Sequence, residues 1–484
     1  MKAYWARLGH TPEDLDRLNV VHVAGTKGKG SVCAFVASIL GRYQRRRGAG
    51  QALKVGLLTS PHLVAVRERI RVGASPLSEA AFAKYFFEVS DALTGTGPNA
   101  SSSTSHPEDA EPGSRPIYAR YLTLMALHVF LREGVDVAVL ETGVGGEYDA
   151  TNIVAHPVAT GISTLGIDHV FVLGDTVDKI AWHKAGIIKP GAGTANFAVE
   201  QPAFPSAEDV LRRRAREKGA DLQILGVDAR LAAGGVGVRP DAAFQRRNAS
   251  LAVALAEAAL ARVDPEGGFS RDENTLPAEF KEGIEQVVWR GRCEVKEEEG
   301  GRLRWHIDGA HTTDSLKMAA RWFVGEIEGR RGPRILIFNQ QGRTEAIDFL
   351  EGLHSGAKRE DGSSFDHVVF CTNVTHATTG YKRGTSMVPV GRSSTGWEIL
   401  TTARFREPPV RPRGDPEAHG AEDFCRAVGD PRPQGKHHRH PEHRGGPQRG
   451  AGSHRFTRGG RGGASFHNGQ PPSRGRGFGY LGRG

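Results

Sequence analysis

One short segment has the residue types of a loop that holds phosphate groups: Gly25, Thr26, Lys27, Gly28, Lys29, Gly30 and Ser31. A β-type run precedes it at residues 19–24, and residues 32–40 have a helical pattern. Glycines let backbone N–H groups turn toward phosphate oxygens, and a helix N-terminus adds partial positive charge. Lys29 can reach the β- and γ-phosphates, and Ser31 can help to hold Mg²⁺. A plain glycine turn is the alternative, and the two lysines and the serine argue against it.

The spacing of this loop differs from the ordinary pattern G-x-x-x-x-G-K-[ST]. Two residues separate Gly25 from Gly28, and Gly30 stands between Lys29 and Ser31. The form GTxGKGS resembles the loop of the Mur-ligase superfamily, whose members are ATP-dependent amide-bond ligases.

Further motifs, in the same order, resemble those of the folylpolyglutamate synthase family of eukaryotic, fungal type. They run from about residue 15 to about residue 383: LLTSPHLVAVRERIRVG, ETGVGGEYDATNIV, STLGIDHVFVLGDTVDKIAWHKAGIIKPG, FQRRNASLAVALA, WRGRCEV, HIDGAHTTDSL and ILIFNQQGRT. The resemblance implies that ATP phosphorylates the terminal γ-carboxylate of a folate and that the amine of L-glutamate attacks the acyl phosphate.

The resemblance also implies metal ligands. Ser60 of TSPH corresponds to a hydroxyl ligand of the metal on ATP, and His169 of GIDH to a ligand of a second Mg²⁺. Glu141 begins ETGVGG at the end of a predicted strand, where a carboxylate suits Mg²⁺. Lys184 of HKAGI matches the lysine that the family carbamylates. Without these motifs, His169 would be read as a loop histidine and Lys184 as a surface lysine of a helix.

Nucleotide contacts are implied in the same way. Gln245 and Asn248 lie three residues apart at a predicted helix start and resemble the adenine-side polar pair of the family. Arg292 matches the arginine of the link between domains, which reaches an ATP phosphate. Asp308 and His311 of DGAH match second-domain residues that approach the nucleotide and help to close the cleft. Asp308 could equally be a carboxylate of a strand-end turn.

Alternating strand and helix patterns predict an α/β protein with two parallel sheets. We expect a P-loop ATP-binding domain at residues 1–288, with a disordered loop at 94–115. We expect a smaller Rossmann-like α/β domain at 289–400 and a disordered Arg/Gly/His-rich tail at 401–484. The family's last strand–helix units are not recognised after residue 383, so the second sheet is expected to be incomplete. If so, stability and ligase activity should be low.

Composition limits the classes of protein. Residues 401–484 hold 16 Lys+Arg and 7 Asp+Glu, which accounts for the whole net charge of +9. Nucleic acid is therefore expected as a partner only through this tail, which could also come from a misread frame or a mis-spliced transcript. Four cysteines without a Cys-x-x-Cys pair argue against a disulfide scaffold or a zinc site. No signal peptide or run of 18 apolar residues is found, so a soluble cytoplasmic protein is expected, with a mitochondrial form left open.

Two other functions stay open at this point. Dihydrofolate synthase uses the same loop chemistry and adds the first glutamate to dihydropteroate. A catalytically impaired ligase with an RNA-binding RGG tail is the other alternative. For the main hypothesis the expected partners are folate and L-glutamate, without a membrane, and the resemblance implies a monomer.

Overall fold

The structure, a computed structural model, describes residues 1–44, 52–95, 115–191, 193–232, 235–265, 274–339 and 346–371. These residues all lie within one compact unit, Met1–Val428. Residues 96–114 of the predicted loop, and the whole predicted tail 401–484, fall outside the described residues. Thr94 belongs to a helix, so the loop begins later than the sequence predicts.

The strands within the described residues are β1 Val21–Ala24, β2 Val55–Leu58, β3 Ile70–Val72, β4 Ser75–Pro76, β5 Val137–Glu141, β6 Ala159–Ile162, β7 Ala195–Val199, β8 Gln223–Leu225, β9 Glu294–Glu297, β10 Arg304–Ile307, β11 Ile335–Phe338 and β12 His367–Phe370. The α-helices are α1 Lys2–Arg7, α2 Pro12–Asp16, α3 Lys29–Leu40, α4 Glu79–Thr94, α5 Tyr118–Arg132, α6 Val170–Leu173, α7 Val177–Lys184, α8 Pro205–Glu217, α9 Ala229–Ala232, α10 Ala243–Val263, α11 Ala278–Glu285, α12 Thr313–Glu326 and α13 Ala346–Gly356. Short 3₁₀ helices lie at Val66–Arg69, Ala150–Ile153 and Ala185–Ile187.

An eight-stranded sheet forms the centre of the first 225 residues, in the order β4-β3-β2-β5-β1-β6-β7-β8. The strands from β2 to β8 in this order are parallel, and β3 and β4 continue the sheet in antiparallel pairing. Strands β1, β2, β5 and β6 are buried along their whole length. Helices cover both faces, which is why these strands read as continuous apolar runs rather than as alternating ones.

The helices pack on the sheet in two layers. Helices α3, α10 and α11 contribute Phe35, Leu255 and Phe280 to a core on one face. Helices α1, α2, α4 and α5 contribute Trp5 and Phe130 to the core on the other face. Local signals fix the helix ends: Ser78 caps α4 through its hydroxyl, and Gly95, with φ of +73°, ends it in a left-handed conformation.

Two smaller sheets follow residue 289. Strands β9 and β10 pair antiparallel, whereas β11 and β12 pair parallel, with α12 and α13 packed on them. The prediction of an α/β fold is confirmed, but β9 and β10 are not parallel. Only residues 298–303 separate β9 from β10, which is enough for a hairpin, whereas a parallel crossover needs about a dozen residues. The predicted boundary at 288/289 stays a prediction. Over the described ranges, no helix combines the length and apolar character needed to cross a membrane.

Candidate functional site

The predicted site residues meet because four neighbouring parallel strands end at the same edge of the large sheet. Ser60 follows β2, Glu141 ends β5, Gly25 follows β1 and Ser163 follows β6. These strands are adjacent in the order β2-β5-β1-β6. α/β proteins bind ligands at the carboxyl edge of a parallel sheet, at the point where the connections after two neighbouring strands run in opposite directions.

The phosphate loop turns tightly between β1 and α3. Gly25 has φ of +148°, and a Cβ atom there would lie 1.9 Å from Ser163 Oγ. The N–H groups of Thr26 and Lys27 both donate to the carbonyl of Thr164. These two amides therefore hold the loop against the segment that follows β6. They do not face a ligand, contrary to the general expectation for the loop. The amides available to phosphate are those of the first turn of α3, which have no acceptor inside the helix.

Two lysines converge on one carbonyl of this loop. Lys29 Nζ lies 3.0 Å, and Lys184 Nζ 2.7 Å, from the oxygen of Gly25. Lys184 is only 3% exposed. Burial, together with the positive charge of Lys29, lowers the pKa of Lys184 to about 7. A substantial fraction of Lys184 is thus a neutral amine near neutral pH, and Lys29 lies nearer to the helix start.

Glu141 is a buried carboxylate, and Ser60 lies directly beside it. The N–H of Ser60 donates to Glu141 Oε2 over 2.9 Å. Burial raises the pKa of Glu141, and the charges of Lys29 and Arg292 offset this only in part. No ion pair of Glu141 within 4.0 Å is found in the described parts of the chain. Burying an unpaired carboxylate is costly, so this position fits a cation.

The described residues contain no group of three or more His, Cys, Asp or Glu side chains that could hold a metal by itself. Magnesium is commonly held by one or two carboxylates together with substrate phosphates and water. A single carboxylate with a neighbouring serine, next to a phosphate loop, matches that donor chemistry. The residues present therefore fit Mg²⁺ bound together with a nucleotide.

His169 lies at the start of α6 and has a left-handed backbone, with φ of +52°. Its Nε2 is 3.9 Å from Asp168 Oδ2, and Nε2 of His311 is 3.8 Å from the same oxygen. Partial burial by itself would raise the pKa of Asp168, but His311, His169 and the N–H of His169 hold it well below its usual range. Asp168, which the sequence analysis did not single out, thus joins the two predicted histidines. In the sequence, Asp168 stands out only as one residue of the GIDH motif.

The predicted adenine-side pair is buried next to the loop. Asn248 Nδ2 donates to Gln245 Oε1 over 2.9 Å, and Gln245 Nε2 donates to the carbonyl of Arg239. Both side chains belong to α10, which packs against α3. A Cβ at Gly28 would lie 2.3 Å from Asn248 Oδ1, so the pair touches the loop itself.

The link to the second part of the chain is held by Asp308. Its two carboxylate oxygens accept the N–H groups of Cys293 and Ala310. Arg292 donates to the carbonyl of Gly291, and it lies near enough to Glu141 to affect the pKa of that carboxyl. Asp308 therefore fixes the turn that carries Arg292, and its predicted role toward the nucleotide stays a prediction.

Lys27 pairs across to the second part of the chain. Its Nζ lies 3.0 Å from Asp314 Oδ2, in the first turn of α12. Asp314 was not among the predicted residues, because only the fold brings it to the loop. Ser31 lies half-buried in the first turn of α3. All the predicted residues thus lie around this edge of the sheet, and their individual roles stay predictions.

Comparison with known proteins identifies relatives of the chain. It is 61% identical to a folylpolyglutamate synthase of Neurospora crassa over 387 residues, covering 79% of this chain and 70% of that protein. It is 42% identical to folylpolyglutamate synthase of Saccharomyces cerevisiae over 383 residues, covering 79% of this chain and 66% of the yeast protein. No family model matches the sequence.

Among solved structures, the fold resembles an FPGS–AMPPCP–folate complex with a TM-score of 0.55. The two share 22% sequence identity, and the match covers 77% of this chain and 93% of the other. Because the sequence identity is low, this similarity supports a shared fold and nothing further. It agrees with the two-domain α/β architecture that the motifs imply.

Proposed function

The chain belongs to the folylpolyglutamate synthase family, and we propose that it uses ATP to add L-glutamate to the γ-carboxyl group of folates. The proposal rests on the loop in which Lys29 and Lys184 converge on the carbonyl of Gly25, beside the buried Glu141. The yeast and Neurospora relatives carry the same enzyme name. Dihydrofolate synthase activity and an RNA-binding relic are not favoured by these relatives.

The chemistry requires that two anions approach each other: the folate carboxylate and the triphosphate. The side chain of Lys29 and the first N–H groups of α3 supply positive charge at the loop, and Arg292 supplies more from the link. Their role is to hold the γ-phosphoryl group in line with the carboxylate oxygen. The carboxylate attacks phosphorus, ADP leaves, and the amine of L-glutamate then displaces phosphate from the acyl carbon while losing a proton.

Glu141 and Ser60 would hold one Mg²⁺, and His169 would hold a second. Bound magnesium neutralises phosphate charge as a Lewis acid. Asp168, 3.9 Å from Nε2 of His169, would attract the ring electrostatically, and its other oxygen accepts the backbone N–H of His169.

Lys184 is proposed to be carbamylated. Its neutral amine, favoured by burial and by Lys29, can attack CO₂, form an N–C bond and lose a proton. The resulting anion would lie beside Lys29 and would be attracted to the positive charge of that side chain. Nuclear magnetic resonance of protein equilibrated with ¹³C-bicarbonate should show one carbamate signal that is absent from Lys184→Met. An identical spectrum for both proteins would refute the modification.

The function itself is tested with purified full-length chain, ATP, L-glutamate and tetrahydrofolate. Folate products longer by one glutamyl residue, formed together with ADP, are expected in mass spectra. Lys29→Met should lower kcat/KM about 100-fold, whereas Lys281→Met, an exposed lysine of α11, should leave it unchanged. Extension of dihydropteroate alone would point to dihydrofolate synthase. A monomeric state, a cytoplasmic location and RNA binding by residues 401–484 stay predictions.

A further inference from the structure

His22 is a fully buried histidine in β1, the strand that leads into the phosphate loop. Its Nε2 lies 2.7 Å from Thr151 Oγ1. Its Nδ1 has no hydrogen-bond partner among the described residues. Burial, with a smaller effect of Lys189, lowers the pKa of His22 to about 3, so the ring is neutral near neutral pH. A buried polar atom without a hydrogen-bond partner destabilises the folded chain. An apolar residue would avoid this cost, so the histidine calls for an explanation.

The direction of the hydrogen bonds follows from the next contact. Thr151 Oγ1 lies 2.5 Å from Asp149 Oδ1. An ionised carboxylate can only accept, so the hydroxyl proton of Thr151 lies on this side. The oxygen of Thr151 must therefore accept from His22, which places the ring proton on Nε2. His22, Thr151 and Asp149 form a chain of donors that runs one way, from the strand to the carboxylate.

The carboxylate of Asp149 also binds two backbone N–H groups. Its Oδ2 accepts the N–H groups of Gly143 and Val144, at 2.9 and 3.1 Å. These amides belong to the turn that leaves β5 immediately after Glu141. Where this turn ends, the N–H of Glu147 donates to the carbonyl of His183 over 2.7 Å.

The turn therefore joins two functional groups. It begins at the carboxylate that fits Mg²⁺ and ends against α7, beside the buried Lys184. A turn whose first amides are fixed to Asp149 holds these two groups at a constant separation.

We propose that His22 is a positioning residue, which acts through the hydroxyl of Thr151 and the carboxylate of Asp149 to fix the turn between Glu141 and Lys184. The proposal deepens the ligase function and rests on it for its effect on turnover. His22 touches no substrate in this account. A histidine that donates from Nε2 inside the sheet necessarily also buries Nδ1, which here has no partner among the described residues.

Three single variants and one double variant test this chain of contacts. His22→Leu removes the donor and the orphaned nitrogen together, and Thr151→Val removes only the hydroxyl. Each should lower kcat about 10-fold, with little change in KM for ATP. His22→Gln, whose terminal amide can donate from a similar position, should restore most of the turnover. The double variant His22→Leu/Thr151→Val should be no worse than either single one, because both break the same chain.

Thr160→Val is the matched control. Thr160 is also a buried threonine, but its hydroxyl donates to Asn196, away from the turn. It should show normal turnover. If Thr160→Val and Thr151→Val lose turnover equally, the loss comes from removing any buried hydroxyl and not from releasing the turn. The proposal would then be wrong.

A second measurement does not depend on ligase activity. Amide hydrogen exchange in the peptide that contains Gly143 and Val144 should be faster in His22→Leu and Thr151→Val, but not in Thr160→Val. If wild type lacks ligase activity while exchange changes as described, the proposed function fails and the positioning role stands. Unchanged exchange in both variants would overturn the positioning role. If His22→Leu does not fold, Thr151→Val alone decides the test.

Discussion

Gly28 is the residue at which the phosphate loop becomes α3, and two facts reserve its position for glycine. Its φ is +87°, which side chains rarely tolerate, and a Cβ there would lie 2.3 Å from Asn248 Oδ1. The first fact concerns only the backbone. The second concerns the neighbouring helix, because Asn248 cannot move without breaking its bond to Gln245.

Gly28→Ala is therefore expected to displace the loop from α10. A left-handed alanine costs roughly 1–2 kcal/mol, and the displaced loop should bind an ATP analogue at least about 10-fold more weakly. Isothermal titration with AMPPCP and Mg²⁺ measures the binding, and urea unfolding measures the stability.

Gly73→Ala separates the two effects. Gly73 also has a left-handed backbone, with φ of +67°, but nothing lies within 4 Å of a Cβ there. This variant should lose similar stability and keep full affinity for AMPPCP. Undiminished affinity in Gly28→Ala would show that the contact with Asn248 does not shape the loop.

At this scale the sequence predicted which residues surround the site, but not how they are connected. The GTKGKGS segment located the loop because its glycines and lysines are local signals. The contacts of Asp168 with two histidines, and of Asp149 with Thr151, depend on how separate strand ends meet. His22 looked like any buried strand residue, since no local pattern shows that a distant hydroxyl needs a donor.

Among the elements, the long periodic segments were predictable. The sequence predicted a strand at residues 19–24, a helix at 32–40, a strand end at Glu141 and a helix start near Gln245. Strands β1 and β5 and helices α3 and α10 lie at these positions to within a few residues. The sequence did not predict α4, α8, β7 or β8. Strand β8 has one exposed and two partly buried residues. It has little apolar pattern of its own and forms because it pairs with β7.

The turn between helices α1 and α2 contacts α5 through a pair of histidines. His10 Nε2 lies 2.8 Å from His128 Nδ1 of α5, and Trp5 stacks on the ring of His10 at 4.3 Å. One proton can lie between these two nitrogens, so the contact requires at least one neutral ring.

Burial lowers the pKa of both histidines. For His10 the neighbouring His128 and Arg132 add to this effect, and Asp14 opposes it. For His128 the carboxylate of Glu88, 3.0 Å from Nε2, opposes it, while Arg132 and Lys84 add to it. The unfolded chain therefore takes up protons at a higher pH than the folded chain. The contribution of these histidines to the free energy of unfolding is complete above the ordinary histidine pKa and is lost as the pH falls below it.

We expect the free energy of unfolding to fall between about pH 7 and about pH 5, and to fall less in His128→Gln, which cannot be protonated. His156→Gln is the control, because His156 is largely exposed beside Asp16. Urea unfolding at several pH values measures the difference. A pH dependence in His128→Gln equal to that of wild type would show that the histidine pair does not control acid stability.

For the whole molecule, the question is what covers the second parallel sheet. Strands β11 and β12 place Leu336 and Phe338 against α12 and α13. On the other side Ile335, Ile337 and Val369 are about half exposed. Parallel strands normally have both faces covered. The alignment spans 70% of the Neurospora protein, so the sequence-based expectation of an incomplete second sheet, with low stability and weak turnover, stays a prediction.

A single pair of substitutions tests that expectation in the full chain. Ile337→Thr keeps a β-branched side chain, and if this face is bare in solution the free energy of unfolding should change by no more than about 0.5 kcal/mol. Leu336→Thr, the next residue on the covered face, should cost about 2 kcal/mol or more. If the two substitutions cost the same, another part of the chain covers Ile337 in solution. The second sheet would then have the support that normal ligase turnover needs, and the expectation of weak activity would be wrong.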